Sequence, residues 1–118
     1  MSIRHGLIRA VKTVVIADEG TTSTECKLNG LTLAGIVTGA NWVTVDITFT
    51  ASVDGGATFL GVYDNADPPV LRTLNDVQAS RYSTFDPADF AGIVHSLKLV
   101  SSAAQTSGPQ TVHLILVD

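Results

Sequence analysis

Three histidines, one cysteine and eleven acidic side chains are what this 118-residue chain offers for chemistry, and their spacing argues against most of it. A hydrolase needs a nucleophile with a base in hydrogen-bond reach. His5 lies near the N-terminus, His95 shares a strand parity with Ile93, Leu97 and Leu99, and His113 interrupts the nearly apolar run from Thr111 to Val117. Histidines in such settings read as sheet residues. No Gly-x-Ser-x-Gly elbow, His-Glu-x-x-His helix or phosphate-binding loop occurs. Glu25 and Asp46 fit wet strand faces, but no pattern pairs them across a pocket as glycosidic cleavage requires. Asp64 and Asp67, around Asn65, are the one local oxygen-rich group and read as a solvated turn rather than a calcium site. A lone Cys26 has no internal disulfide partner and reads as a small buried hydrophobe in a protein assembled under reducing conditions. The expectation is a non-enzymatic protein with no catalytic residue, no metal and no cofactor.

The elements that position these residues are strands. Val43, Val45, Ile47, Phe49 and Ala51 alternate with Thr44, Asp46, Thr48, Thr50 and Ser52, which is the period of a strand with one buried and one wet face. The next stretch, Ser52-x-Asp54-x-Gly56-x-Thr58-Phe59, looks like an Asp-box, a hairpin-tip motif of β-propellers such as sialidases. One copy in a chain too short for several blades reads as a rigid turn built from Ser52, Asp54, Gly55, Gly56 and Thr58, with Phe59 packing beneath it. Further strands are expected at about 10–17, 24–28, 31–38, 58–63, 80–85, 93–100 and 111–117, separated by short turn signals. Asp86 as cap and Pro87 at the first helical position predict one short helical turn near 87–91. Segments 64–79 and 101–109 lack pattern and read as surface loops. The fold class is therefore all-β, a single-domain antiparallel β-sandwich, jelly-roll-like, with residues 13–118 as its body.

Charge separates the first twelve residues from the rest. Arg4, Arg9 and Lys12 make that segment +3, and the remainder carries 4 basic against 11 acidic residues, or −7, for the overall −4. Residues 1–12 read as a basic N-terminal arm, with Ile3, Arg4, Leu7, Ile8, Arg9 and Lys12 as candidates for docking on an acidic neighbour or a sister subunit. The acidic body and the lack of aromatic residues among the basic ones argue against nucleic acid. No apolar run approaches the ~20 residues of a membrane span, and no signal peptide is expected. Trp42, Tyr63 and Tyr82 are the rings that could stack on a glycan if exposed.

Several of these motifs recur together. The strand led by Trp42, the run Ala51 to Gly55, Phe59, the pair Tyr63-Asp64, the turn Asp86 to Gly92 and the closing strand Thr111 to Val117 resemble a group of small tailed-bacteriophage virion proteins over residues 24–117. The resemblance implies a β-sandwich on the virion, most simply a capsid decoration (cement) protein docked on the major capsid protein or other virion proteins. Its motifs specify packing and turns, so tail or head-fibre components and a glycan-binding module for host adhesion stand as alternatives. A homo-oligomer, such as a trimer, folded in the bacterial cytoplasm and carried on the virion follows from the same resemblance.

Overall fold

The alternation from Val45 to Ser52 forms the central strand of one of two packed sheets. The computed structural model describes residues 9–93 and 95–118. In chain order the strands are β1 (Arg9–Ile16), β2 (Cys26–Lys27), β3 (Thr32–Val37), β4 (Val45–Ser52), β5 (Leu60–Gly61), β6 (Thr73–Val77), β7 (Tyr82–Thr84), β8 (Ser96–Ser101) and β9 (Gln110–Val117). A 3₁₀ turn, Pro87–Phe90, lies between β7 and β8, and the Asp86 carboxylate caps it by accepting from the Ala88 amide at 3.0 Å.

The first sheet has the order β1-β9-β3-β7 and the second β2-β8-β4-β5, with β6 also pairing with β4; all pairs are antiparallel. Apart from the β4–β5–β6 run, every connection carries the chain from one sheet to the other. Nested crossing of this kind is the jelly roll, so the fold expected from the sequence is the fold observed.

The two inner faces meet in one core. Val14, Ile16, Leu33, Ile36, Val112, Leu114 and Leu116 come from the first sheet, and Cys26, Val45, Ile47, Phe49, Val77, Leu97 and Leu99 from the second. Burying a side chain of this size contributes about 1.5–3 kcal/mol each, so this interface is the main source of stability. A bulge between Leu33 and Gly35 shifts the β3 register, which lets both Leu33 and Ile36 face inward. Buried Gln105 fixes the loop before β9: its side-chain oxygen accepts from the Val43 amide at 2.8 Å, and its Nε2 donates to the Val43 carbonyl at 3.1 Å.

Two sequence expectations need correction. The segment 64–79 was expected to be loop throughout, yet Thr73–Val77 is a strand on the β4 edge. Its inward side chains are only Leu74 and Val77, because an edge strand buries too little to show an apolar period. The arm expected over 1–12 also ends earlier: Arg9 to Lys12 pair with Val117 to Leu114 as the first half of β1. They belong to the sandwich.

Candidate functional site

The candidate docking surface starts from that correction. Along β1, exposed and partly or fully buried residues alternate, so Val11, Thr13 and Val15 point away from the core while Val14 and Ile16 point into it. The ladder continues this outward set across the sheet. Val11 pairs with Ile115 and Ile115 with Gly35; Thr13 pairs with His113, His113 with Val37, and Val37 with Tyr82. Val11 is 63% exposed, Val15 36% and Tyr82 63%, and His113 and Thr111 are exposed beside them. The outer face of the first sheet is thus a broad patch of valines, isoleucine, threonines and one tyrosine.

Of the docking residues expected from charge, Ile3, Arg4, Leu7 and Ile8 lie outside the described residues. Arg9 opens β1 at the exposed edge, opposite Val117. Lys12 is turned elsewhere: it has the inward parity of its strand, and its Nζ donates to the Lys27 carbonyl of β2 at 2.6 Å. There it bridges the two sheets. Its ammonium thereby spends one of its three donors within the chain.

The Asp-box residues form one hydrogen-bonded turn. Ser52 Oγ donates to Asp54 Oδ1 at 2.8 Å and accepts from the Gly56 amide at 2.9 Å, while Asp54 Oδ1 accepts from the Thr58 amide at 3.0 Å. Gly55 and Gly56 take φ of 79° and 91°, a region that a side chain penalises. The Thr58 amide, followed by the Ser52 and Thr58 hydroxyls, holds the Asp54 carboxyl down at about 2, since each bond favours the charged form. The Phe59 ring lies under the Lys98 ammonium, 4.3 Å from the ring centre. The Glu25 carboxylate presses against Gly56, where an added Cβ would stand 2.7 Å from Glu25 Oε2. His95 Nδ1 is 3.9 Å from the same oxygen and 2.9 Å from Ser96 Oγ, too loose with Glu25 to form a hydrogen-bonded pair.

The three rings considered for glycan contact are not brought together. Trp42 is 4% exposed, and its indole N–H donates to the Val77 carbonyl at 3.0 Å, so it closes the end of the core and leaves the glycan set. Tyr63 and Tyr82 are exposed, the first in a bridge to Leu71 and the second on the β7 edge of the first sheet. Asp64 is a loop organiser whose Oδ1 accepts from the amides of Ala66 and Val70 at 3.0 and 2.9 Å. Those bonds, helped by Arg72, lower its pKa. No group of three or more metal-ligating side chains occurs among the described residues. Burial raises the Cys26 thiol's pKa, which makes it a poor nucleophile.

The closing run "TVHLILV" reads from sequence as a central or doubly covered strand; β9 is central, between β1 and β3, and on its outer face Thr111 and His113 are exposed while Ile115 is half-buried and Val117 buried.

With this geometry established, comparison with known proteins adds the fold. No family model matches the sequence, and no curated protein does. Among solved structures the chain is similar to the crystal structure of SPBc2 prophage-derived protein YomS, with a TM-score of 0.54, 15% identity, and coverage of 100% of this chain and 99% of that one. The likeness spans both chains and is one of fold.

Proposed function

We propose that this protein is a non-enzymatic structural component of a tailed-bacteriophage particle, a decoration protein that docks on the major capsid protein. The observation that carries the reading is the bare outer face of the first sheet, with Val11, Val15 and Tyr82 at 63%, 36% and 63% exposure beside the half-buried Ile115 and Val37. Apolar side chains exposed on one sheet face, interleaved with Thr13, Thr111 and His113, are a surface suited to a partner. Many weak copies on a repeating lattice then give avidity that no single contact supplies.

Other features support the same reading. The jelly roll is a fold that capsid-associated domains use, the structural neighbour is a prophage-derived protein, and the motifs around Trp42, Asp54 and Asp86 follow the virion-protein pattern. The partners are the major capsid protein and sister copies in a homo-oligomer, without nucleic acid or membrane, and the location is the virion.

Electron microscopy of purified particles tests this. The expected result is density for the chain on the capsid lattice, with the Val11–Tyr82 face turned to the shell. Density at the tail would reassign the protein to a tail or fibre component, and absence from the particle would end the virion reading.

A further inference from the structure

Away from the docking face, a groove opens between the free edges of the two sheets, where β6 of the second sheet passes β7 and the 3₁₀ turn that follows it. It consists of two adjoining hollows of about 390 and 400 Å³ that share Thr73, Leu74 and Asn75. Each exceeds the lower end of the ~300–1,000 Å³ typical of small-ligand sites.

The first hollow has an aromatic wall. Phe49 meets Phe85 and Phe90 edge-on and Phe85 is tilted against Phe90, with ring centres 4.8 to 6.2 Å apart; Phe49 and Phe90 are buried, and Phe85, only partly buried, is the ring that reaches the opening. Polar groups surround these rings. Arg72 approaches Asp89 at 3.4 Å, a loose ion pair with 31% and 37% of the two side chains exposed, and its Nε is shielded with no acceptor among the described residues. A guanidinium carries five donors, and among the described residues Asp89 is the acceptor that approaches this one. Asp64, on the same wall, uses one carboxylate oxygen for both of its loop amides. The groove thus combines apolar ring carbon with unspent donors and acceptors.

That chemistry selects a ligand class. A pyranose presents C–H surface on one side and hydroxyls, each both donor and acceptor, around its rim. Arg72 can donate to such hydroxyls while Asp64, Asp89 and Asn75 accept from them. Two carboxylates against one guanidinium leave the first hollow net negative, which disfavours phosphate, sulfate or an acidic sugar. The second hollow, with Arg81 and Asp76, is balanced and extends the groove by about one further ring.

We infer that the β6–β7 groove is a binding site for a short neutral oligosaccharide, seated on the Phe85 side of the aromatic wall and hydrogen-bonded to Arg72, Asp89, Asp64 and Asn75. The site is separate from the docking face, so a decorated particle carries it outward or sideways, and the virion reading and this one can fail independently.

The test is a nuclear magnetic resonance titration of the full ¹⁵N-labelled chain with methyl glycosides of neutral hexoses and N-acetylhexosamines, and with neutral di- and trisaccharides. Expected are amide shifts confined to Arg72, Thr73, Asn75, Phe85 and Asp89 and their neighbours, with at least about tenfold tighter binding of a disaccharide than of its monosaccharide. Arg72→Gln and Asp89→Asn should each weaken that binding at least about tenfold while leaving the rest of the spectrum in place. Silence across the panel, or shifts centred elsewhere, overturns the site. Binding of sialic acid or inorganic phosphate in preference to the neutral sugars overturns the ligand class.

Discussion

The two sheets of this sandwich contribute alike to the core and differ on their outer faces. On the first sheet the outward row is Val11, Ile115, Val37 and Tyr82, with His113 and Thr13. On the second, Thr48 pairs with Thr73 on one side and Val100 on the other, Thr50 pairs with Lys98, and Lys98 lies over Phe59. Threonine suits a strand exposed to water because its β-branched body packs on the pleat while its hydroxyl stays solvated. The central strands of the second sheet are thus polar outside, with Lys98 over Phe59, and its exposed apolar side chains, Leu60 on β5 and Val53 just past β4, gather at the β4–β5 hairpin. The first sheet leaves Val11, Val15 and Tyr82 exposed among the described residues, with Ile115 and Val37 half-buried between them. The contrast sets the first sheet's outer face, on which the docking proposal stands, against the threonine-lined centre of the second.

The comparison can be broken most forcefully at β9, whose alternate residues face core and solvent. Leu114→Ala should cost about 2–5 kcal/mol by loss of packing and a residual cavity, whereas His113→Ala, one residue away, should stay within about 0.5 kcal/mol. Urea unfolding of both variants checks this; equal losses would mean that the outward face is not bare.

The docking contrast is next in size. Val11→Asp with Val15→Asp should reduce virion occupancy about a hundredfold, near 2.7 kcal/mol of binding. The paired control, Thr48→Asp with Thr50→Asp on the other sheet, should leave occupancy as it is. Quantitative mass spectrometry of purified particles reads both, and a loss in the control alone would place the interface on the second sheet.

The second sheet depends partly on its hairpin tip. Gly56→Ala puts a methyl group 2.7 Å from the Glu25 carboxylate at a φ of 91°. A cost of about 1–2 kcal/mol is expected from the backbone alone, with the affected amides clustering at Ser52–Phe59 and Glu25 in hydrogen exchange. Lys98→Gln should cost no more than about 0.5–1 kcal/mol through loss of the cation over Phe59, seen as a small shift in the thermal midpoint.

The smallest effect is acid sensitivity at the tip. Because Asp54 is held at about 2 in the fold against an ordinary 3.8, its contribution is fully present above pH 3.8 and fades as the pH falls toward 2. A carboxyl-carbon titration by nuclear magnetic resonance should show Asp54 titrating near 2, below the ordinary 3.8, and Ser52→Ala should raise its midpoint.

Much of this was legible beforehand, for a local reason. The strand Val45–Ser52, the glycine turn behind it and the capped turn at Pro87 each rest on periodicity or on a cap within a few residues, and those signals survive whatever the rest of the chain does. Edge strand β6 left no such trace because two inward side chains make no pattern. Trp42 was one of the rings weighed for a glycan, and only the carbonyl of Val77, 35 residues away, shows where its indole N–H is satisfied. Lys12 likewise read as a docking charge, and only the fold brings the β2 carbonyl at Lys27 within its reach.

The sequence by itself determined that this chain builds strands, turns and a sandwich core, since alternation and turn chemistry act between near neighbours. Only the tertiary structure decided which apolar residues remain outside. An outward valine on β1 and an inward one obey the same period, and the difference is whether another sheet packs there. The groove between β6 and β7 was decided in the same way: Arg72, Phe85 and Asp89 are distributed over three segments, and the crossing of the chain from one sheet to the other brings them to one opening.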